Sequence, residues 1–408
     1  MKKELSFLLL SLCVLAGTSL QMCFRQTVPS EGFSLSERET LATYLKVPEE
    51  PIVYTHAATT VMFPEGMDQV THNPDLAFLG RVLFYERALS ADGTISCASC
   101  HQQSHAFGDD IRFSKGIGGI ETRRNTLALG AYPSLETVYL SGGLTSAEPD
   151  SLSGEYRGIF WDERTIYMLG QLERSFADPE GMGILVSSIP GRLSGLEYYP
   201  ILFRKAFGEE EITATRVMLA LMGFLGTIVN VEAPFDDAFA RTFTQGGDLS
   251  GDFDSFSSQQ NLGKQLFATH CSACHLVVTN IHLNPILGNG KPRACNGLDM
   301  TYTDQGVGEY WGKPELNGVF KIPGLRNITA TAPYMHDGRF GSLEAVIQHY
   351  NNGIQPHANL DSLLKDEQGF PKQLQLSEQE VDALLEFLRS LTNEHLLFDE
   401  KWSDPFLR

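Results

Sequence analysis

Cys97-Ala-Ser-Cys100-His101 recurs further along the chain as Cys271-Ser-Ala-Cys274-His275. Two cysteines three apart, followed directly by a histidine, form the attachment signal of a c-type haem. Residues i and i+3 share one face of a helical turn, so both sulfurs can reach the vinyl groups of one porphyrin. The adjacent imidazole then ligates the iron axially. Structural zinc is the competing reading. Zinc ribbons, however, set their CxxC pairs about 15–20 residues apart and need no histidine after each pair. The sequence therefore predicts two covalent haems, with His101 and His275 as axial ligands.

A second echo surrounds the first. Gly80-Arg-Val-Leu-Phe84 precedes the first motif and Gly263-Lys-Gln-Leu-Phe267 precedes the second, with a longer gap to the cysteine in the first copy. Leu76, Leu79 and Leu83 fall at the period of a buried helical face. Helical periodicity returns at Arg164–Phe176 and Ile212–Val229, and the apolar run Val217–Val229 is too short to span a membrane. Ser342 can cap a helix over Leu343–Tyr350. Ser377 with Glu380 makes a capping box ahead of Val381, Leu384, Leu385, Leu388 and Leu391. Lys115-Gly-Ile-Gly-Gly119 carries no period and reads as an irregular loop. The expected fold is mainly α: two cytochrome c-like haem domains with long loops and little β structure. The expected division is a signal peptide at 1–25, an extension at 26–70 with a short helix near Glu37–Leu45, a first haem domain at 71–245, a Gly/Asp/Ser-rich linker at 246–258 and a second haem domain at 259–408.

Composition narrows the function. The 408 residues carry a formal charge of -19, which cannot neutralise phosphates and excludes nucleic acid as a partner. An acidic surface permits docking of a basic protein but does not name one. Of the seven cysteines, four belong to the haem motifs, Cys13 and Cys23 lie near the start, and Cys295 stands apart, so no disulfide framework emerges. Lys2 and Lys3 ahead of the apolar run Leu5–Leu20 read as a secretory signal, in keeping with extracytoplasmic haem attachment. Leu12 before Cys13 and Met22 before Cys23 both fit a lipoprotein site poorly, so release and lipid anchoring both stand as readings.

Beyond these features, the chain resembles the bacterial di-haem cytochrome c peroxidases and their relative MauG. The resemblance runs from about residue 73 to the C-terminus and rests on an ordered set of motifs. These are Leu79-Gly-Arg-Val-Leu-Phe84, Leu89-Ser90 leading to Ser96-Cys97, Arg124-Asn125-Thr126, and Phe160-Trp161-Asp162-Glu163-Arg164. In the second half come Asn296-Gly-Leu-Asp299, Lys321-Ile-Pro-Gly-Leu-Arg-Asn327 and Ala332-Pro-Tyr-Met-His-Asp-Gly338. The resemblance implies a peroxidatic N-terminal haem and an electron-transferring C-terminal haem. Trp161 matches the tryptophan between them, and Asn125, Thr331 and Pro333 match the positions that hold a calcium ion. It implies reduction of hydrogen peroxide with electrons from a reduced cytochrome c or a similar small donor. Oligomeric state is left open, a homodimer included.

Cleaving peroxide needs a group that takes a proton from the near oxygen and returns one to the far oxygen. By resemblance these duties fall to Gln171 and to a glutamate in an Asn-Pro-x-Glu-Met segment. This chain reads Asp178-Pro-Glu180-Gly181-Met182, so the glutamate stands one residue early. Glu180 is either that acid–base group or a solvated loop carboxylate. The loop Gly116–Arg124 lacks the histidine that blocks the distal face in the peroxidase branch, and His105 is a poor substitute. That departure predicts an open first haem. Where the peroxidase branch carries a distal methionine for the second haem, counted on from His336, this chain has Tyr350, the MauG-like arrangement. Met335 and Met300 are the alternatives. His336, His349 and His270 read as hydrogen-bonded or surface histidines without an iron. Three functions remain: a peroxidase, a MauG-like oxidase of a protein or organic donor, and a non-catalytic electron-transfer cytochrome.

Overall fold

A computed structural model of the chain describes residues 32–54, 73–131, 158–165, 168–244, 250–275 and 291–408. The expected signal peptide with Cys13 and Cys23, and residues 246–249 of the expected linker, lie outside these residues. The longer helices are α1 Leu35–Ala42, α2 Pro74–Tyr85, α3 Met168–Ala177, α4 Tyr198–Phe207, α5 Ala214–Gly226, α6 Pro234–Thr244, α7 Ser258–His270, α8 Leu343–Gln348 and α9 Glu378–Arg389. Among the described residues the one sheet pairs β1 Arg293–Ala294 antiparallel with β2 Phe320–Lys321. The mainly helical expectation holds.

Two helix crossings, built alike, organise the molecule. α2 begins at Asn73, whose side chain accepts from the Asp75 and Leu76 amides, with Pro74 at its first position. It crosses α5 at Gly80, where a Cβ would lie 1.9 Å from the Ala220 carbonyl oxygen and 2.8 Å from Phe224 Cβ. α7, opened by a Ser257–Gln260 capping box, crosses α9 at Gly263. There a Cβ would lie 1.9 Å from the Ala383 carbonyl oxygen and 2.8 Å from Phe387 Cβ. Each glycine brings two helix backbones into contact, which any side chain would prevent. The partner helices carry a matching echo that periodicity does not expose: Ala220-Leu-Met-Gly-Phe-Leu225 against Ala383-Leu-Leu-Glu-Phe-Leu388. The duplication thus covers a helix pair per domain, not one helix.

The first core gathers α2, α4 and α5, and the second α6, α7 and α9. A third cluster, containing Trp161, Tyr302 and Phe320, spans both halves of the chain. The Ser377–Glu380 capping box and the Ser342 cap form as expected, and Val381, Leu384, Leu385, Leu388 and Leu391 are buried.

The last residues depart from the sequence division. Residues 394–408, grouped there with the second domain, return to the first core. Trp402 is fully buried, donates through its indole to the Thr227 carbonyl at 3.2 Å and accepts from the Tyr85 hydroxyl at 2.8 Å. Arg81 reaches Ser403 Oγ at 3.2 Å. Packing volume near the first haem motif, invisible to periodicity, sets this return. A buried two-pronged ion pair then ties α6 to the loop before α8, with Arg326 donating to both Asp236 oxygens at 2.7 and 2.6 Å.

Candidate haem sites and the wall between them

The first motif forms a short 3-10 turn, Cys97–Ser99, packed on α2. The Cys100 and His101 amides donate to the Cys97 carbonyl at 3.2 and 2.9 Å, which brings both sulfurs and the imidazole round one turn. The second motif continues from the end of α7, and the Cys274 and His275 amides donate to the Cys271 carbonyl at 3.1 and 2.9 Å. His101 Nδ1 lies 2.7 Å from the Phe107 carbonyl, and His275 Nδ1 lies 3.1 Å from the Pro323 carbonyl. A carbonyl only accepts, so each Nδ1 carries the proton and each Nε2 keeps its lone pair for a metal. Burial reinforces this. It lowers His101 and holds His275 down to about 4, so both rings are neutral near pH 7.

The four cysteines are free of disulfides, and burial pushes the Cys97 and Cys271 thiols up to about 12. Cys97 packs against the first core and Cys271 against the second, so the two pairs cannot share one tetrahedral zinc ion. Around the second motif an apolar cleft brings Cys271, Cys274, His275, Met335, Tyr350 and Trp161 to its walls. Two sulfurs, a neutral imidazole and an oxygen donor around one apolar space suit a covalently held haem.

Tyr350 reaches the cleft from a π-helical turn, His349–Gly353, that follows α8 directly. The widened turn is a device found mostly at functional positions. Burial pushes the Tyr350 hydroxyl up to about 12, and a hydrogen bond with Asn296 opposes the rise. Asn296 is a junction missed in the sequence beyond its place in a motif. Its side chain donates to Met335 Sδ at 3.5 Å and accepts from the Tyr302 hydroxyl at 3.3 Å, and its carbonyl lies 3.0 Å from His349 Nε2. Met300, the other alternative, is 64 % exposed and is not part of the cleft.

Trp161 is buried in the same wall, although it comes from the first half of the chain. Its indole donates to the Asn125 carbonyl at 2.8 Å, and its ring stands 6.4 Å from His336. His336 stacks on Phe320 at 3.7 Å, in a packed rather than a ligating position. Arg124 braces this wall through Asp162 at 2.6 Å and Asp304 at 2.7 Å. Asn125 spends its side-chain amide on the Ile111 and Arg112 carbonyls at 3.3 and 3.2 Å, which leaves its side-chain oxygen as an acceptor. Thr331 and Pro333 border the same cleft as Asn125.

Gln171 is half-buried on α3 and Glu180 is exposed on the turn that follows. That turn is fixed by the Gly181 and Gly183 amides donating to the Asp178 carbonyl at 3.0 and 2.9 Å. The glycine-rich loop lies against it, with the Ile117 amide donating to the Gly181 carbonyl at 3.1 Å. His105 sits on a separate short turn with Ser104 Oγ 3.2 Å away.

Known proteins are similar to this chain in sequence and fold. Residues 74–243 match the di-haem cytochrome c peroxidase family and residues 260–392 the cytochrome c family. The chain is 30% identical over 346 residues to the methylamine utilization protein MauG of Methylorubrum extorquens, covering 81% of this chain and 83% of that one. It is 28% identical over 351 residues to the cytochrome-c peroxidase IdrP2 of Pseudomonas sp. strain SCT, covering 80% and 84%. A crystal structure of a MauG-like protein associated with microbial copper homeostasis superposes with a TM-score of 0.63 at 25% identity, covering 88% of this chain and 98% of that one. Two haem motifs in matching tautomers, a tryptophan in the wall between the halves, and relatives that share both halves lead to one assignment: the chain belongs to the di-haem cytochrome c peroxidase and MauG family and carries two c-type haems.

Proposed function

We propose that the protein reduces hydrogen peroxide at its N-terminal haem, with electrons from a reduced cytochrome c or a similar small donor entering through the C-terminal haem. The haems, when bound, supply the iron that takes up peroxide and the site that stores or relays electrons. The observation that carries the reading is Trp161. It is buried against the second haem cleft, anchored by its indole, and borne on a segment of the first domain, so it offers a π-system between the two sites. Gln171 and Glu180 serve as the groups that hold and move the peroxide proton, and His275 and Tyr350, which line one cleft, would hold the second haem iron. Asn125, Thr331 and Pro333 would hold a calcium ion through oxygen donors. The site of action is the periplasm, reached through the N-terminal signal.

Stopped-flow mixing with peroxide, followed by turnover with several reductants, tests this reading. Gln171→Ala and Glu180→Gln should each slow peroxide cleavage by about 10²–10⁴-fold. An unchanged rate in both would remove them from the site.

A second reading, a MauG-like oxidase of a protein or organic donor, is favoured by Tyr350 and by the absence of histidine in 116–124. An anionic phenolate favours oxidised iron where a thioether raises the potential. Rapid haem oxidation by peroxide without oxidation of a cytochrome donor would select it.

A further inference from the structure

At the first core, and outside everything assigned above, three tyrosines stand in ring contact. Tyr199 is fully buried and its ring centroid is 4.7 Å from that of Tyr198. Tyr198 is buried and its ring is 5.2 Å from Tyr44, which is 36% exposed just beyond α1. Each hydroxyl donates to a carboxylate. Tyr198 and Tyr199 share Glu86 Oε2 at 2.6 and 3.0 Å, and Tyr44 meets Glu197 Oε2 at 3.4 Å. Tyr54, Tyr85 and Tyr334 donate instead to backbone carbonyls.

Glu86 is itself buried, and its other oxygen accepts the Ala88 amide at 2.8 Å. Burying a carboxylate between two phenols costs desolvation that an apolar contact would avoid. The position supplies a chemical property in return. A phenol that loses an electron becomes a strong acid, so its oxidation is easy only when a base already holds its proton. A carboxylate 2.6 Å away is that base. The inner end of the group belongs to the first core, against which Cys97 and Ala98 of the first haem motif also pack. Glu86 follows α2, the helix on which the Cys97–Ser99 turn rests.

The geometry points to a proton-coupled oxidation relay, Tyr199–Tyr198–Tyr44, that carries oxidising equivalents from the peroxide-reacting site to the surface, where a bulky phenol is oxidised without entering the haem cleft. This rests on the peroxidase reading for its oxidant. In each step one electron leaves a tyrosine toward the oxidised site, and its O–H proton passes to Glu86 or Glu197, giving a neutral tyrosyl radical and a carboxylic acid. A phenolic donor at Tyr44 then returns a hydrogen atom, restoring the tyrosine and leaving a phenoxyl radical, while the carboxylic acid releases its proton to solvent and the peroxide-reacting site takes up one proton to complete a water. Two such passes balance one peroxide: one hydrogen peroxide and two phenols give two waters and two phenoxyl radicals. A phenol suits the exit because its O–H bond resembles that of the tyrosine it repairs.

The test adds one equivalent of hydrogen peroxide to the di-haem protein without donor and freezes the sample for electron paramagnetic resonance. The expected result is a haem absorbance change together with a radical signal whose splitting narrows when the protein is grown on ring-deuterated tyrosine. Glu86→Gln keeps the shape and an acceptor oxygen but not the base, so the signal should vanish while the haem absorbance change persists. Tyr198→Phe should leave the radical on Tyr199, which keeps its own hydrogen bond to Glu86, and slow oxidation of a bulky phenolic dye at least tenfold. Tyr44→Phe, which removes only a surface hydroxyl, should retain a buried radical and slow oxidation of a bulky phenolic dye at least tenfold. Haems that respond to peroxide with no tyrosyl signal, a signal that survives Glu86→Gln, or dye oxidation unchanged in both Tyr198→Phe and Tyr44→Phe would overturn the relay and leave the peroxidase reading in place. Haems that do not respond would overturn both.

Discussion

At the scale of single residues, chemistry is settled by what each ring or oxygen faces. The cysteines and histidines of the two haem motifs stood out because covalent attachment demands a fixed spacing, and the fold adds the carbonyls that set the tautomer of His101 and His275. Tyr350 was legible only as a position counted from His336. The fold supplies its reason, a π-helical turn that carries it to the cleft wall beside Asn296. Replacing Tyr350 with Phe should shift the low-spin haem spectrum toward a high-spin or water-ligated form. An unchanged low-spin signal would assign the second ligand elsewhere, with Met335 the candidate on the same wall. Asn296→Leu should weaken the same low-spin signal more mildly, read as a changed pH dependence of the spectrum.

At the scale of helices, the decisive residues are the two glycines at the crossings. The echo of Gly80 in Gly263 was visible in the sequence as a repeat, but its cause was not. A Cβ at either site would sit 1.9 Å from a backbone carbonyl oxygen of the partner helix, and backbone cannot rotate away as a side chain can. Gly80→Ala and Gly263→Ala should therefore each cost about 1–3 kcal/mol, as overpacking does, measured by thermal or denaturant unfolding. Gly191→Ala in the short helix Ile189–Leu193 is the control, since nothing lies within 4 Å of its added Cβ. That variant should be neutral or slightly stabilising, because alanine outranks glycine in a helix by about 1 kcal/mol.

At the scale of the whole molecule, the chain end and one ion pair join what the repeat separates. Trp402→Ala should cost about 3–5 kcal/mol, the usual result of emptying a large aromatic site. Hydrogen exchange should then speed up in α2 and α5 while α7 and α9 keep their protection; uniform loss would place the tail in both domains. Arg326→Met should cost about 3–5 kcal/mol by stranding the Asp236 charge, and the double variant with Asp236→Leu should recover most of it. The sequence by itself determined the cofactors, the duplicated helical plan and the family, because those depend on covalent spacing and on local periodicity. Tertiary structure alone decided that residues 394–408 close the first core, that Asn296 links Tyr350 to Met335 and Tyr302, and that three tyrosines meet two carboxylates. Those arrangements join segments far apart in the chain, where side-chain volume and the pairing of buried polar groups, not periodicity, set which residues meet.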